Sequence, residues 1–104
     1  MPTQLNLRTT RREDRTELIA TGEIDLSNID EFKGAMNAAT AETSSIGSPL
    51  IVDLAAVEYV DSAAINVLSA GADDIDKLIV HPLLMTTFTV SGLTELMCIE
   101  TASP

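Results

Sequence analysis

The decisive stretch is Asp53-Leu54-Ala55-Ala56-Val57-Glu58-Tyr59-Val60-Asp61-Ser62-Ala63-Ala64-Ile65. It grows out of Leu50-Ile51-Val52. Leu50 to Leu54 is a short apolar run of the kind that forms a central strand buried on both faces. Val57-Glu58-Tyr59-Val60 carries the chain on to Asp61-Ser62. Beyond that point Ile65, Leu68, Ala72 and Ile75 recur at spacings of three and four, the period of one helical stripe. A helix therefore opens near Ser62.

That position gives Ser62 two readings. The first N–H groups of a helix lack intrahelical partners, and a serine hydroxyl is a favoured cap for them; as a cap, Ser62 would be worth ~1 kcal/mol. The other reading is a phosphate acceptor. A phosphate brings about -1.5 to -2 charge and three acceptor oxygens. The helix dipole and the free N–H groups tolerate an anion there. The fold would survive while the surface turned hostile to an acidic or closely packed partner.

Working outward, Gln4-Leu5-Asn6-Leu7-Arg8 alternates polar and apolar, the signature of a half-buried strand. Thr9 to Asp14 is a polar hairpin loop, and Thr16 to Thr21 is a second strand, ended by Gly22, that pairs antiparallel with the first. Ser27 is the expected N-cap of the next helix, with Asp30 three residues on. Ile29, Phe32, Met36 and Ala39 supply its apolar stripe. Thr43-Ser44-Ser45 and Gly47-Ser48-Pro49 break the chain before Leu50. After the Ser62 helix, Lys77 to His81 is a strand. Pro82 opens a third helix over Leu83 to Ser91, Gly92 stops it, and Leu96 to Ile99 is a last strand. The order β-β-α-β-α-β-α-β predicts an α/β fold: a mixed, mostly parallel sheet of about five strands with about three helices, in one domain over residues 1–104.

The totals restrict function. The 104 residues are 45% hydrophobic and 21% charged, which is a globular composition. Only Phe32, Phe88 and Tyr59 are aromatic, so the core is aliphatic. The net charge is -10, which opposes binding to nucleic acid and to anionic lipid and favours a basic partner surface. Arg8, Arg11, Arg12 and Arg15 cluster near the N-terminus; a solvated hairpin tip is the expected setting, a phosphate contact the lesser reading. No apolar run approaches the ~20 residues that span a bilayer, and no signal peptide is visible. A cytoplasmic location is expected.

Catalytic patterns are missing. His81, the only histidine, has no cysteine partner nearby for a metal and no placed nucleophile to serve. Neither a GxGxxG nor a Walker pattern occurs, and Asp73, Asp74 and Asp76 lack calcium-loop spacing. No enzyme activity, cofactor or metal is expected. Cys98, the only cysteine, lies in Leu96-Met97-Cys98-Ile99 and is expected to be a small buried core residue.

Two motifs in order carry a resemblance. Gly22-Glu23-Ile24-Asp25 closes the second strand, and Asp53-Leu54 leads through Tyr59-Val60 to Asp61-Ser62-Ala63-Ala64-Ile65; Ser91-Gly92-Leu93 follows later. From about Gln4 to Glu100 the chain resembles the STAS-domain anti-sigma factor antagonists. That resemblance implies a STAS-like fold and a non-enzymatic switch. The protein would bind an anti-sigma factor serine kinase and so release a sigma factor. Phosphorylation of Ser62 would end the binding, and a phosphatase would restore it. Asp25, Asp61, Ser62, Ala63 and Ala64 would form the partner surface. Ala63 stands where the family has a second serine. Ala64 stands where it has glycine, a methyl that would limit the approach of a partner backbone. The resemblance also implies a C-terminal helix in many relatives, and none is expected within the residues up to Pro104. The alternative is a constitutive STAS interaction subunit of a transporter or sensory complex, with Ser62 only a cap.

Overall fold

The computed structural model describes residues 4–102. Residues 1–3 and 103–104, the ends of the domain expected over 1–104, lie outside the described residues. The elements are β1 (Leu5–Arg11), β2 (Thr16–Ile24), α1 (Ile29–Ile46), β3 (Leu50–Val60), α2 (Ser62–Ala70), β4 (Lys77–Val80), α3 (Met85–Val90) and β5 (Ile99–Thr101). Short 3-10 turns cover Ala72–Asp74, Pro82–Leu84 and Leu93–Glu95. The sheet order is β1-β2-β3-β4-β5. β1 is antiparallel to β2 and every other pairing is parallel. This is the α/β fold and the element order that the residue pattern predicts.

Each crossover steps one strand along the sheet in the same direction, and right-handed crossovers then set all three helices on one face. Burial agrees. Leu18 and Ala20 of β2, Val52 and Leu54 of β3, and Leu78 and Val80 of β4 are fully buried. They meet Phe32 and Met36 of α1, Ala64 and Leu68 of α2, and Phe88 of α3. Ile19, Ile51 and Ile79 alternate with them and are only half-buried, because nothing among the described residues covers the opposite face. β3 is thus not buried on both sides, as its apolar run suggested; its inner face is dry and its outer face is shielded only by neighbouring strands.

β3 carries two more residues than β2 over their paired length, with register shifts between Ile19 and Thr21 and between Gly22 and Glu23. Such bulges bend a strand and re-aim its side chains. Here they keep Leu54, Val57 and Val60 all pointing inward and deliver Asp61 to the end of the sheet. Gly22 does not end β2; the strand runs on to Ile24. Its φ is 110°, and a Cβ there would overlap the Gln4 carbonyl oxygen, so only glycine fits where β1 crosses so closely.

Several boundaries differ from expectation. α1 continues through Thr43-Ser44-Ser45 to Ile46. Thr43 is buried and its hydroxyl donates to the Thr40 carbonyl at 3.1 Å, so packing overrides weak local propensity. The stop is Gly47, in the left-handed region at φ 68°. At the N-terminus the cap position belongs to Asn28, not Ser27. In α2 the inward stripe begins at Ala64, not Ile65. Leu96 is exposed and β5 starts only at Ile99. Cys98 is exposed, not buried: Met97 turns into the core and the next side chain points out. Asp73, Asp74 and Asp76 are exposed, and Asp76 also pins the start of β3 by accepting from the Leu50 N–H at 2.7 Å. Pro82 opens a 3-10 turn before α3, and His81 Nδ1 accepts from the Leu83 N–H at 3.1 Å, so the lone histidine is a cap.

Candidate functional site at the carboxyl ends of the strands

β2, β3 and β4 run parallel, so their carboxyl ends share one rim of the sheet. The Asp61 N–H donates to the Ile24 carbonyl at 3.2 Å, which closes the ends of β2 and β3 side by side. The Asp61 carboxylate then makes two sets of bonds. Oδ1 accepts from the Ala63 and Ala64 N–H groups at 2.9 and 3.4 Å, capping α2. Oδ2 accepts from the Leu26 N–H at 2.9 Å. One side chain therefore holds the first turn of α2 and the β2–α1 loop in fixed relation.

That loop is itself internally tied. Asp25 Oδ1 accepts from the Ser27 N–H at 2.9 Å and from its hydroxyl. Asn28 is buried and turned back: its Oδ1 accepts from the Asp25 N–H at 3.0 Å, and its Nδ2 donates to the Glu23 carbonyl at 2.9 Å. Asn28 thus spends its amide on the loop and leaves α1 without a side-chain cap.

Ser62 is the first residue of α2 and is exposed. The cap belongs to Asp61, so the Ser62 hydroxyl is not required for it. Two of the N–H groups expected to greet a phosphate, those of Ala63 and Ala64, are already engaged by Asp61. Of the other expected surface residues, Asp25, Asp61 and Ala63 are half-buried at the rim. Ala64 is fully buried; its methyl packs into the core and does not face a partner. It fills space between α2 and the sheet where glycine would leave a gap.

Two rim residues escape the sequence reading. Leu26 is 75% exposed and Leu83 is 79% exposed. Leu26 follows β2 and Leu83 follows β4, so they stand on either side of the β3 end that carries Ser62. Leu26 had a signal, a leucine in the loop between a strand and a helix and outside any apolar stripe; Leu83 had none, because it reads as the first residue of the third helix. Tyr59, half-exposed near the end of β3, adds to this surface. A groove of about 310 Å³ lies between α1 and α2, lined by Lys33, Met36, Asn37, Asn66, Val67 and Asp74 among others.

The arginine cluster lies at the far end of the sheet. Arg11 pairs with Glu42 of α1, Arg12 with Glu17 at 2.8 Å, and Arg15 with Asp14 and Glu17 at 2.9 and 3.2 Å. The Arg12 hydrogen bond, helped by Arg15, holds the Glu17 carboxyl below its ordinary range. Among the described residues no group of three or more His, Cys, Asp or Glu side chains is placed to hold a metal. No helix among them is long and apolar enough to cross a membrane.

Comparison with known proteins agrees with this geometry. An anti-sigma factor antagonist from Mycobacterium paratuberculosis superposes with a TM-score of 0.81 at 19% identity, covering 93% of this chain and 86% of that one. The anti-sigma factor antagonist SpoIIAA in its unphosphorylated form gives 0.66 at 16% identity, covering 98% and 89%. A protein with a SpoIIAA-like fold from Shewanella loihica gives 0.62 at 7% identity, covering 100% and 90%. At these identities the likeness is one of fold. No curated protein sequence matches. The family described as "Mlab, STAS domain" matches residues 7–99, nearly the whole chain, and the chain therefore belongs to the STAS domain family.

Proposed function

We propose that this protein is an anti-sigma factor antagonist that works in the cytoplasm through the rim around Ser62. It binds an anti-sigma factor serine kinase, and phosphorylation of Ser62 switches that binding off until a phosphatase removes the group. The observation that carries the reading is the division of labour at α2. Asp61 caps the helix, so Ser62 is exposed and chemically spare. Leu26 and Leu83 flank it with apolar surface, and buried apolar anchors supply most of the energy of such interfaces. A phosphate between them adds about -1.5 to -2 charge, which a closely packed partner must desolvate at high cost.

The test is incubation with ATP and the cognate anti-sigma kinase, followed by mapping of the phosphate. Phosphate on Ser62, and loss of kinase binding in Ser62→Asp, are the expected results. Binding that survives Ser62→Asp, with no phosphate on Ser62, would mean a constitutive interaction subunit.

A further inference from the structure

The uncovered face of the sheet has an organisation that the rim does not explain. The pairing registers place Arg8, Ile19, Asp53, Ile79 and Glu100 in one row across all five strands, on the side away from the helices. The neighbouring row holds Thr10, Glu17, Ile51 and Lys77. In the first row two isoleucines flank a central Asp53 with charges at both edges, and in the second a central Ile51 lies between Glu17 and Lys77. The five charged groups on these rows net to -1, against -10 for the chain. Arg12 and Arg15 reach over to Glu17 and make that corner more positive still. Two such acidic molecules meet here with little net repulsion.

We propose that a second copy of this chain packs on that face, with β3 over β3 and a two-fold axis running along the strands. The axis follows from the sequence of charges. Rotation about it lays β1 over β5, β2 over β4, and β3 on itself. Arg8 then meets the second copy's Glu100, Ile19 meets its Ile79, and Ile51 meets its own equivalent, while Glu17, already held by Arg12 and Arg15, lies opposite Lys77 and adds little. Each of these contacts occurs as its own reciprocal, as a two-fold interface requires. Sheets packed face to face keep their strands within about 30°, so long side chains reach these partners despite the twist. Arg8 has its charge to give: among the described residues it is the one arginine of the N-terminal cluster for which no ion pair is formed, whereas Glu100 pairs with Lys77 of its own chain at 3.5 Å and would be shared between the two cations.

One residue opposes the arrangement. Asp53 lies on the axis and faces its own equivalent, so like charges oppose each other there. Its Oδ1 accepts from the Ala55 N–H at 2.9 Å, a bond that an asparagine oxygen can also accept. Asp53 therefore loosens the pair without being needed for the strand. The association is accordingly weak and sensitive to salt, because its specificity rests on exposed charges. Ser62 lies at the end of β3 and not on this face, so the two surfaces are independent.

Sedimentation equilibrium at low salt tests the proposal, with circular dichroism to confirm that each variant is folded. The wild type is expected to dimerise reversibly with rising concentration. Glu100→Arg is the informative single change. It lowers the net negative charge, so general repulsion alone would strengthen association, whereas loss of the Arg8 partner weakens it by about tenfold. Arg8→Glu weakens it likewise, the double exchange Arg8→Glu with Glu100→Arg restores it, and Asp53→Asn tightens it several-fold. A wild type that stays monomeric to millimolar concentration overturns the proposal and leaves the face to some other partner. So does tighter association in Glu100→Arg.

Discussion

Replacing Asp61 with alanine removes two structural connections at once. The first is the cap on α2, bonds of 2.9 and 3.4 Å to Ala63 and Ala64, worth about 1 kcal/mol. The second is the 2.9 Å bond to the Leu26 N–H. A hydrogen bond to a charged acceptor contributes about 1.5–3 kcal/mol when shielded, but Leu26 is exposed and about 1 kcal/mol is the fair share. Asp61→Ala should therefore cost about 2 kcal/mol, a fall in Tm of about 8–12 °C for a chain of this size. Asp61→Asn keeps an acceptor oxygen and should recover about half of that. Ser62→Ala should change stability by less than about 0.5 kcal/mol, because Ser62 caps nothing and alanine is the better helix former. Urea denaturation of the three variants, read as midpoints at constant slope, decides the matter. A Ser62→Ala variant as unstable as Asp61→Ala would refute the assignment of the cap, and with it the claim that the Ser62 hydroxyl is spare.

Gly22→Ala should destabilise by at least about 2 kcal/mol, since it imposes a strained positive φ and a clash with the Gln4 carbonyl at once; a thermal melt within 3 °C of wild type, about half a kcal/mol, would contradict this. Leu26→Ala should leave the melting temperature nearly unchanged, because the side chain is largely in solvent, yet weaken partner binding by about tenfold, read by isothermal titration. Glu17 has its carboxyl held low in the folded state by Arg12 and Arg15. Its contribution is therefore present above the ordinary glutamate value of 4.5 and is lost as pH falls through the lower folded value. For a pair this near the surface it amounts to a few tenths of a kcal/mol, and denaturation midpoints at pH 7 and pH 3 should differ less in Glu17→Gln than in the wild type.

The element order was legible because period and punctuation agreed: alternation in Leu5 to Arg8, an apolar run at Leu50 to Leu54, and helical spacing at Phe32, Met36 and Ala39. What escaped was whatever depends on tertiary placement. Thr43 looks like a helix breaker until its burial against the core is known. Cys98 sits in an apolar run, yet the edge of a sheet lets alternate side chains face water. The bulges in β3 shift parity by a residue each, and no local signal in Ala55-Ala56 announces them. Asp61 and Ser62 are both good caps by type, so sequence alone could not divide the roles between them. The division was made by the Ile24 carbonyl, which fixes the Asp61 backbone and so aims its carboxylate along the helix axis.

That division also changes what a phosphate on Ser62 would do. Had serine been the cap, the new group would have inherited open N–H donors. With Asp61 in place, the Ala63 and Ala64 donors are engaged, and the phosphate would sit beside an existing carboxylate. Two unit charges 4 Å apart in water repel by about 1 kcal/mol, so a group of about -1.5 to -2 would oppose Asp61 by about 1.5–2 kcal/mol. That is as large as the sum of the bonds Asp61 makes to α2 and to Leu26. The added charge would therefore act on the tie between the helix and the β2–α1 loop as well as on an approaching partner. Through one carboxylate, a modification of a single hydroxyl would reach both Leu26 and the segment that holds Asp25.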